Sequence, residues 1–170
     1  MAKQSDTELR KASVHLLYEE HMLCETAKLI ASSTTNPVEK YVRLESFLLH
    51  ARNLIVFLGW HKANHPEDMK ATHYVPKWTP TSLIPIWAED LYTSVSNAAL
   101  HLSYARSGRD PLQTEWKVRE IVEAIQKELN RFLDLVPKHL LDPRFQSAAE
   151  TVFSQNDANY LTGRTGPTRP

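Results

Sequence analysis

The sequence predicts an all-α fold: a helical bundle of four main helices plus a short C-terminal helix, with a long irregular loop between helices 2 and 3. Three observations carry this expectation. Only four glycines occur in 170 residues, and long stretches are rich in Leu, Ala, Glu, Lys and Arg, which favours helix over a turn-rich β architecture. Apolar residues recur at three- and four-residue spacing in several of these stretches. Helix start and stop signals fall between them.

Asp6 is placed to cap a first helix that continues over residues 10–32, with Val14, Leu17, Met22 or His21, Cys24, Ala27 and Ile30 or Ala31 as its apolar stripe. Ser33-Thr34-Thr35-Asn36-Pro37 reads as a stop and a restart, with Asn36 as N-cap, Pro37 at the first helical position and Glu39 complementing the N-terminal dipole. The second helix spans residues 37–60. Its second half, which contains Phe47, Leu48, Leu49, Ala51, Leu54, Ile55, Val56, Phe57, Leu58 and Trp60, is apolar almost all round, the pattern of a helix surrounded by others. Gly59 is its stop signal. Residues 61–85 hold Pro66, Pro76, Pro80 and Pro85, which forbid a continuous helix and leave at most a turn around residues 67–72. A third helix is expected over residues 85–106, with Leu91, Val95, Ala98, Leu102 and Ala105 on one face. Ser107-Gly108 ends it, and Thr114 is placed to cap a fourth helix running to residue 135. That helix has Val118, Ile121, Val122, Ile125, Leu129, Phe132 and Leu133 as its stripe, and Lys117, Arg119, Glu123, Lys127 and Arg131 toward solvent. Pro137 stops it, and Asp142-Pro143 opens a short last helix over residues 144–153. Residues 1–155 are expected to form one domain, and residues 156–170, with little to bury, a disordered tail.

Charge and composition narrow the classes of function. The formal net charge is zero, so the chain has no built-in attraction for nucleic acid or an anionic membrane, and RNA is a partner the net charge does not support. Cys24 is the single cysteine, which forbids an internal disulfide and fits a reducing cytoplasm. Residues 1–10 are polar and lack the apolar core of a signal peptide. The most apolar stretch, residues 47–60, is interrupted by His50, Arg52 and Asn53 and falls short of the about 20 apolar residues a membrane span needs. A cytoplasmic protein away from the membrane is the expectation.

The polar residues within the central helix are the most informative. Glu45 and Arg52, seven apart, share one face, and His50 and Asn53 share another. Buried charges need partners, so these residues form either a structural polar network that fixes helix register or a ligand or catalytic cluster. The third helix offers Asn97, His101 and Tyr104 on one face, near Arg106. If that face meets the central helix, Glu45, His50, Arg52 and His101 converge. The eight histidines do not form the helical pairings that metal sites use, so neither a metal nor another cofactor is expected. No glycine-rich phosphate loop, nucleophile elbow or Cys-x-x-Cys motif occurs. Trp60, Trp78, Trp87 and Trp116 read as core or loop anchors.

The central segment, Glu-x-Phe-Leu-x-His-Ala-Arg-x-Leu from Glu45, resembles a group of uncharacterised bacterial helical proteins. The likeness continues through the charged pair Glu67 and Asp68, Ala71 and Tyr74, then the stretch from His101 to Arg106, then Trp116, and covers about residues 40–135. More broadly the chain resembles HEPN domains, helical bundles that include RNases and toxin–antitoxin or phage-defence components. Their motif is an Arg, often followed by Asn, then a His after four to six residues. Arg43 and His50 fit with six residues between them, and Arg10 and His15 with four. Arg52-Asn53 begins the motif, but Phe57 stands where the shortest spacing wants His. The resemblance implies a HEPN-like module acting through protein partners or a homodimer, in a defence or toxin–antitoxin setting. Two alternatives stand beside it. One is a metal-independent RNase with His50 or His101 as general base or acid and Arg52 or Arg43 holding phosphate. The other is a small-ligand binding bundle with its pocket between the second and third helices.

Overall fold

The computed structural model describes residues 4–62, 65–81, 92–93 and 116–145. Among the described residues every regular element is helical. The first helix, α1, is Asp6–Ala31. Its N-cap is Ser5 rather than Asp6: the Ser5 hydroxyl accepts from the Glu8 backbone N–H, and the Glu8 carboxylate accepts from the Ser5 backbone N–H, a capping box. Asp6 falls in the first turn, where its charge meets the positive end of the helix dipole.

The second helix, α2, is Pro37–Leu58. Asn36 caps it as expected, its side chain accepting from the N–H groups of Val38 and Glu39. At the other end Gly59 adopts φ 81°. The Gly59 and Trp60 N–H groups donate to the carbonyls of Val56 and Ile55, both at 3.1 Å. Such a left-handed cap favours glycine, which carries no Cβ. The helix is antiparallel to α1, because His50 and Asn53 meet Glu19 while Arg43 meets Leu29 and Ser32.

The interior role of α2 agrees with its sequence. Phe47, Leu48, His50, Ala51, Leu54, Ile55, Phe57 and Leu58 are buried, and Leu49, Arg52, Asn53 and Val56 are half-buried. Its neighbours are α1 on one side and a later helix, α4 at Val118–Leu135, on another. The expected stripe of α4 is buried from Ile121 to Leu133, with Val118 partly buried and Glu128 added. The helix starts at Val118 without a side-chain cap bond, and Thr114 lies outside the described residues. Leu135 ends α4, Val136 and Pro137 follow, and a 3-10 turn at Lys138–Leu140 packs on α1.

The stripe of α1 is displaced from the expected one. Leu9, Ser13, Leu16, Glu20, Leu23, Thr26 and Ala27 are buried, while Val14, Leu17, Met22, Cys24 and Ile30 are only half-buried. Three polar residues on the inner face shift the apparent hydrophobic phase. Each is provided for. Ser13 donates to the Arg10 carbonyl and accepts from the Asp142 N–H, and Thr26 donates to the Met22 carbonyl. Glu20 accepts from the Cys24 thiol.

The proline-rich segment after α2 is irregular but anchored. It contains one helical turn, α3 at Ala71–Tyr74, slightly later than the turn expected. Ala71, Tyr74 and Trp78 are buried. Tyr74 donates from its hydroxyl to the Leu9 carbonyl, and Trp78 donates from Nε1 to the Leu58 carbonyl. Tyr74, Trp78 and Phe57 all set their rings edge-on to Phe132, at centroid distances of 5.9, 5.6 and 5.1 Å, so one α4 side chain joins α2 and the loop. Glu128 adds a polar anchor. Its carboxylate accepts from the N–H and hydroxyl of Thr81 and from Arg131, whose guanidinium lies over the Trp78 ring. Tyr92 and Thr93 are helical. The rest of the expected third helix, the short last helix beyond Phe145, Trp87 and the 156–170 tail lie outside the described residues. No described helix is long and apolar enough to cross a membrane.

Candidate functional site

The inward polar residues of α2 find their partners chiefly on α1. His50, only 4% exposed, places Nδ1 2.7 Å from Glu19 Oε2. Asn53 Nδ2 donates to the same oxygen at 3.2 Å. The shared face of His50 and Asn53 is therefore real, and what joins them is Glu19. The sequence pattern does not single out this residue, because an acidic group in an amphipathic helix ordinarily belongs to the solvent face. The available signal was the rule that a buried imidazole needs a partner, combined with the short α1–α2 connection that brings the middle of α1 opposite His50. Tyr18 completes the surround, edge-on to His50 at 5.6 Å.

Arg52 points to a different side. Its Nη2 donates to the Tyr92 hydroxyl at 3.1 Å, and its guanidinium carbon lies 4.6 Å from the Tyr92 ring centre. His61 stacks on that ring at 3.5 Å. Arg52 thus belongs to a small stack at the end of the loop, held by Tyr92 from the expected third-helix region. Glu45 is half-buried two helical turns before Arg52. His101, Asn97 and Tyr104 lie outside the described residues, and with them the convergence expected for Glu45, His50, Arg52 and His101. On α2 itself His50 and Asn53 form an inner pair at Glu19, and Arg52 turns to Tyr92 on another side.

Between the two lies a cavity of about 460 Å³. Glu19, Arg52, Asn53 and Tyr92 form its polar wall, and Leu16, Leu54, Val56 and Phe57 its apolar wall. His15 from α1 and His65, Glu67 and Asp68 from the loop stand around it. His50 does not line the cavity; it backs the carboxylate that does. Asp68 is fixed by accepting the His65 N–H at 3.0 Å. Among the described residues no group of three or more His, Cys, Asp or Glu is arranged to hold a metal ion.

Arg43, the other candidate arginine, has a structural occupation. Its Nη1 donates to the carbonyls of Leu29 and Ser32 at the end of α1, at 2.5 and 3.0 Å, and to the Ser32 hydroxyl at 2.8 Å, while Nη2 pairs with Glu39. It caps α1 from α2. A second cavity of about 540 Å³ lies beside it, lined in part by Ser33, Lys40, Leu44 and Trp116.

The pair of buried Glu20 and half-buried Cys24 is inert by environment. Burial raises the Glu20 carboxyl pKa above its ordinary value, against the lowering effect of hydrogen bonds from Cys24 and Gln126. Burial and the neighbouring Glu20 push the Cys24 thiol up to about 12, far from the thiolate that nucleophilic chemistry requires.

Family models, curated proteins and solved structures show no match to the chain, so its functional reading rests on this geometry.

Proposed function

We propose that the chain is a small-ligand binding helical domain whose site is the cavity between α1, α2 and Tyr92. One observation carries the reading: the charged groups on the cavity wall are held in place by partners behind or beside them, Glu19 by His50 and Asn53 and Arg52 by Tyr92. Polar groups fixed in this way around a concave, half-apolar space are what a recognition site requires. The test is a thermal-shift screen of small metabolites against the full chain and a Val56→Trp variant. Val56 lines the cavity at a half-buried position, so the indole fills it. At least one compound should raise the melting temperature of the parent and leave the variant unmoved. A screen without any hit, or hits shared equally by the variant, contradicts the reading.

The metal-independent RNase reading ranks lower on charge. The three carboxylates of Glu19, Glu67 and Asp68 share the cavity with Arg52 and oppose a phosphate backbone. The HEPN-like module acting through protein partners or a dimer draws support from a separate feature. Val38 and Val42, one turn apart on α2, are 68% and 59% exposed. Sedimentation of the parent and of a Val42→Glu variant tests it: a dimer that the charge dissociates supports self-association through this strip, and a monomer in both cases removes it.

A further inference from the structure

Given the ligand site proposed between α1, α2 and Tyr92, on which this assignment rests, the cavity wall specifies the charge of what it takes. Glu19 stands on that wall with its side chain 22% exposed. Its Oε2 is filled by His50 and Asn53, both from α2, while its Oε1 accepts no hydrogen bond from the described residues. A carboxylate taken this far out of water, and paired with no lysine or arginine among the described residues, carries a desolvation cost that an incoming cation offsets. Asp68 has Oδ2 on the His65 N–H and leaves Oδ1 unused among the described residues. In the described lining the carboxylates of Glu19, Glu67 and Asp68 outnumber the Arg52 guanidinium, so the local potential favours a cation. Arg52 serves here only as wall, held on Tyr92. The bonding at Glu19 also selects the kind of cation. A guanidinium donates two parallel N–H bonds and needs both carboxylate oxygens, whereas an ammonium is a point charge that a single oxygen can hold. With Oε2 already bonded twice, Glu19 has one oxygen to give. Val56 and Phe57 supply an apolar wall for the remainder of the molecule. At about 460 Å³ the cavity sits toward the small end of ligand sites, which run from roughly 300 to 1,000 Å³.

We propose that the cavity binds a small primary amine, with its ammonium group on Glu19 Oε1 and its hydrocarbon skeleton against Val56 and Phe57.

Calorimetric titration of the full chain with butylamine, isoamylamine, benzylamine and phenethylamine tests this, alongside two series on the same carbon skeletons: the alcohols, which lack the charge, and the guanidines, which replace the point charge by a fork. The amines and a fragment library are mapped in parallel by NMR against the resonances of the cavity residues. At least one amine should bind and shift the Asn53 side-chain amide and the Val56 methyl signals, with its alcohol and its guanidine both weaker by about tenfold or more. Glu19→Gln, which keeps the shape and removes the charge, should lose the same factor for the amine, keep the helical circular dichroism of the parent and leave the affinity of the alcohol nearly unchanged. The analogue comparison needs no variant and stands even if the substitution unfolds the protein. An alcohol that binds as well as its amine overturns the assignment of a cation, and a guanidine that does so overturns the assignment of an ammonium group. An amine that shifts only residues outside the cavity also overturns the proposal. Fragments in the cavity with no amine bound overturn the amine assignment and leave the ligand site standing. Neither fragments nor amines in the cavity overturns both.

Discussion

Replacing His50 and Arg52 by alanine, one at a time, separates the part of the α2 polar cluster that holds the fold from the part that faces a ligand. His50 is 4% exposed and bonded to Glu19 at 2.7 Å. Its removal forfeits a hydrogen bond to a carboxylate, about 1.5–3 kcal/mol, and leaves a space in the core that adds on the order of 1–2 kcal/mol. The sum is about 2.5–5 kcal/mol, or a fall of about 5–20 °C in melting temperature for a domain of this size. Arg52 is half-buried, its guanidinium bonded to the Tyr92 hydroxyl and lying against that ring at the cavity wall. Because Arg52 is half-buried whereas His50 is 4% exposed, Arg52→Ala should cost less stability than His50→Ala while abolishing binding in the cavity. Urea unfolding followed by circular dichroism measures both. An Arg52→Ala variant as unstable as His50→Ala would refute the division into an inner structural pair and an outer functional residue.

Two further outcomes concern the buried carboxyls. Because burial raises the Glu20 pKa in the folded state, ionising it opposes folding. The penalty is absent below the unfolded pKa of about 4.3 and grows as pH rises through the window up to the raised folded value. Glu20→Gln should thus gain more melting temperature over the parent at neutral pH than at about pH 4, and a difference independent of pH would contradict the burial argument. Glu128 is the reverse case. Burial pushes its pKa up, but Arg131 and Thr81 outweigh that and hold it below the ordinary value, so its stabilisation is present above the unfolded pKa and fades as pH falls through the folded one. Glu128→Ala should cost about 2–4 kcal/mol and expose the chain near Thr81 to limited proteolysis; unchanged protease resistance there would show that Tyr74 and Trp78 secure the loop without it.

The helices were legible in the sequence where burial and hydrophobicity coincide. In the second half of α2 and along the Ile121-to-Leu133 stripe of α4 the apolar positions are buried or half-buried, and Asn36, Pro37 and Gly59 mark the ends of α2 by their conformational preferences. In α1 they part company. Ser13, Glu20 and Thr26 sit inside because local carbonyls, a thiol and the Asp142 N–H satisfy them, and no hydrophobic pattern registers that. The site was half legible. His50, Arg52 and Asn53 declared themselves as polar residues on an apolar helix. Their partners, Glu19 and Tyr92, are distant in sequence and ordinary in local context, so only the antiparallel packing of α1 on α2 and the course of the chain after the loop select them. The loop itself looked like a gap because prolines disrupt its periodicity, although Tyr74 and Trp78 bury it as firmly as a helix.

The most direct test of the cavity as a ligand site is side-chain NMR of the arginine Nε–H and asparagine amide signals during titration with a compound that raises the melting temperature. The Arg52 and Asn53 signals should shift and saturate together, while the Arg43 signal, from the guanidinium that caps α1, stays in place. Shifts at Arg43 with Arg52 and Asn53 unmoved would put the ligand elsewhere and contradict the account.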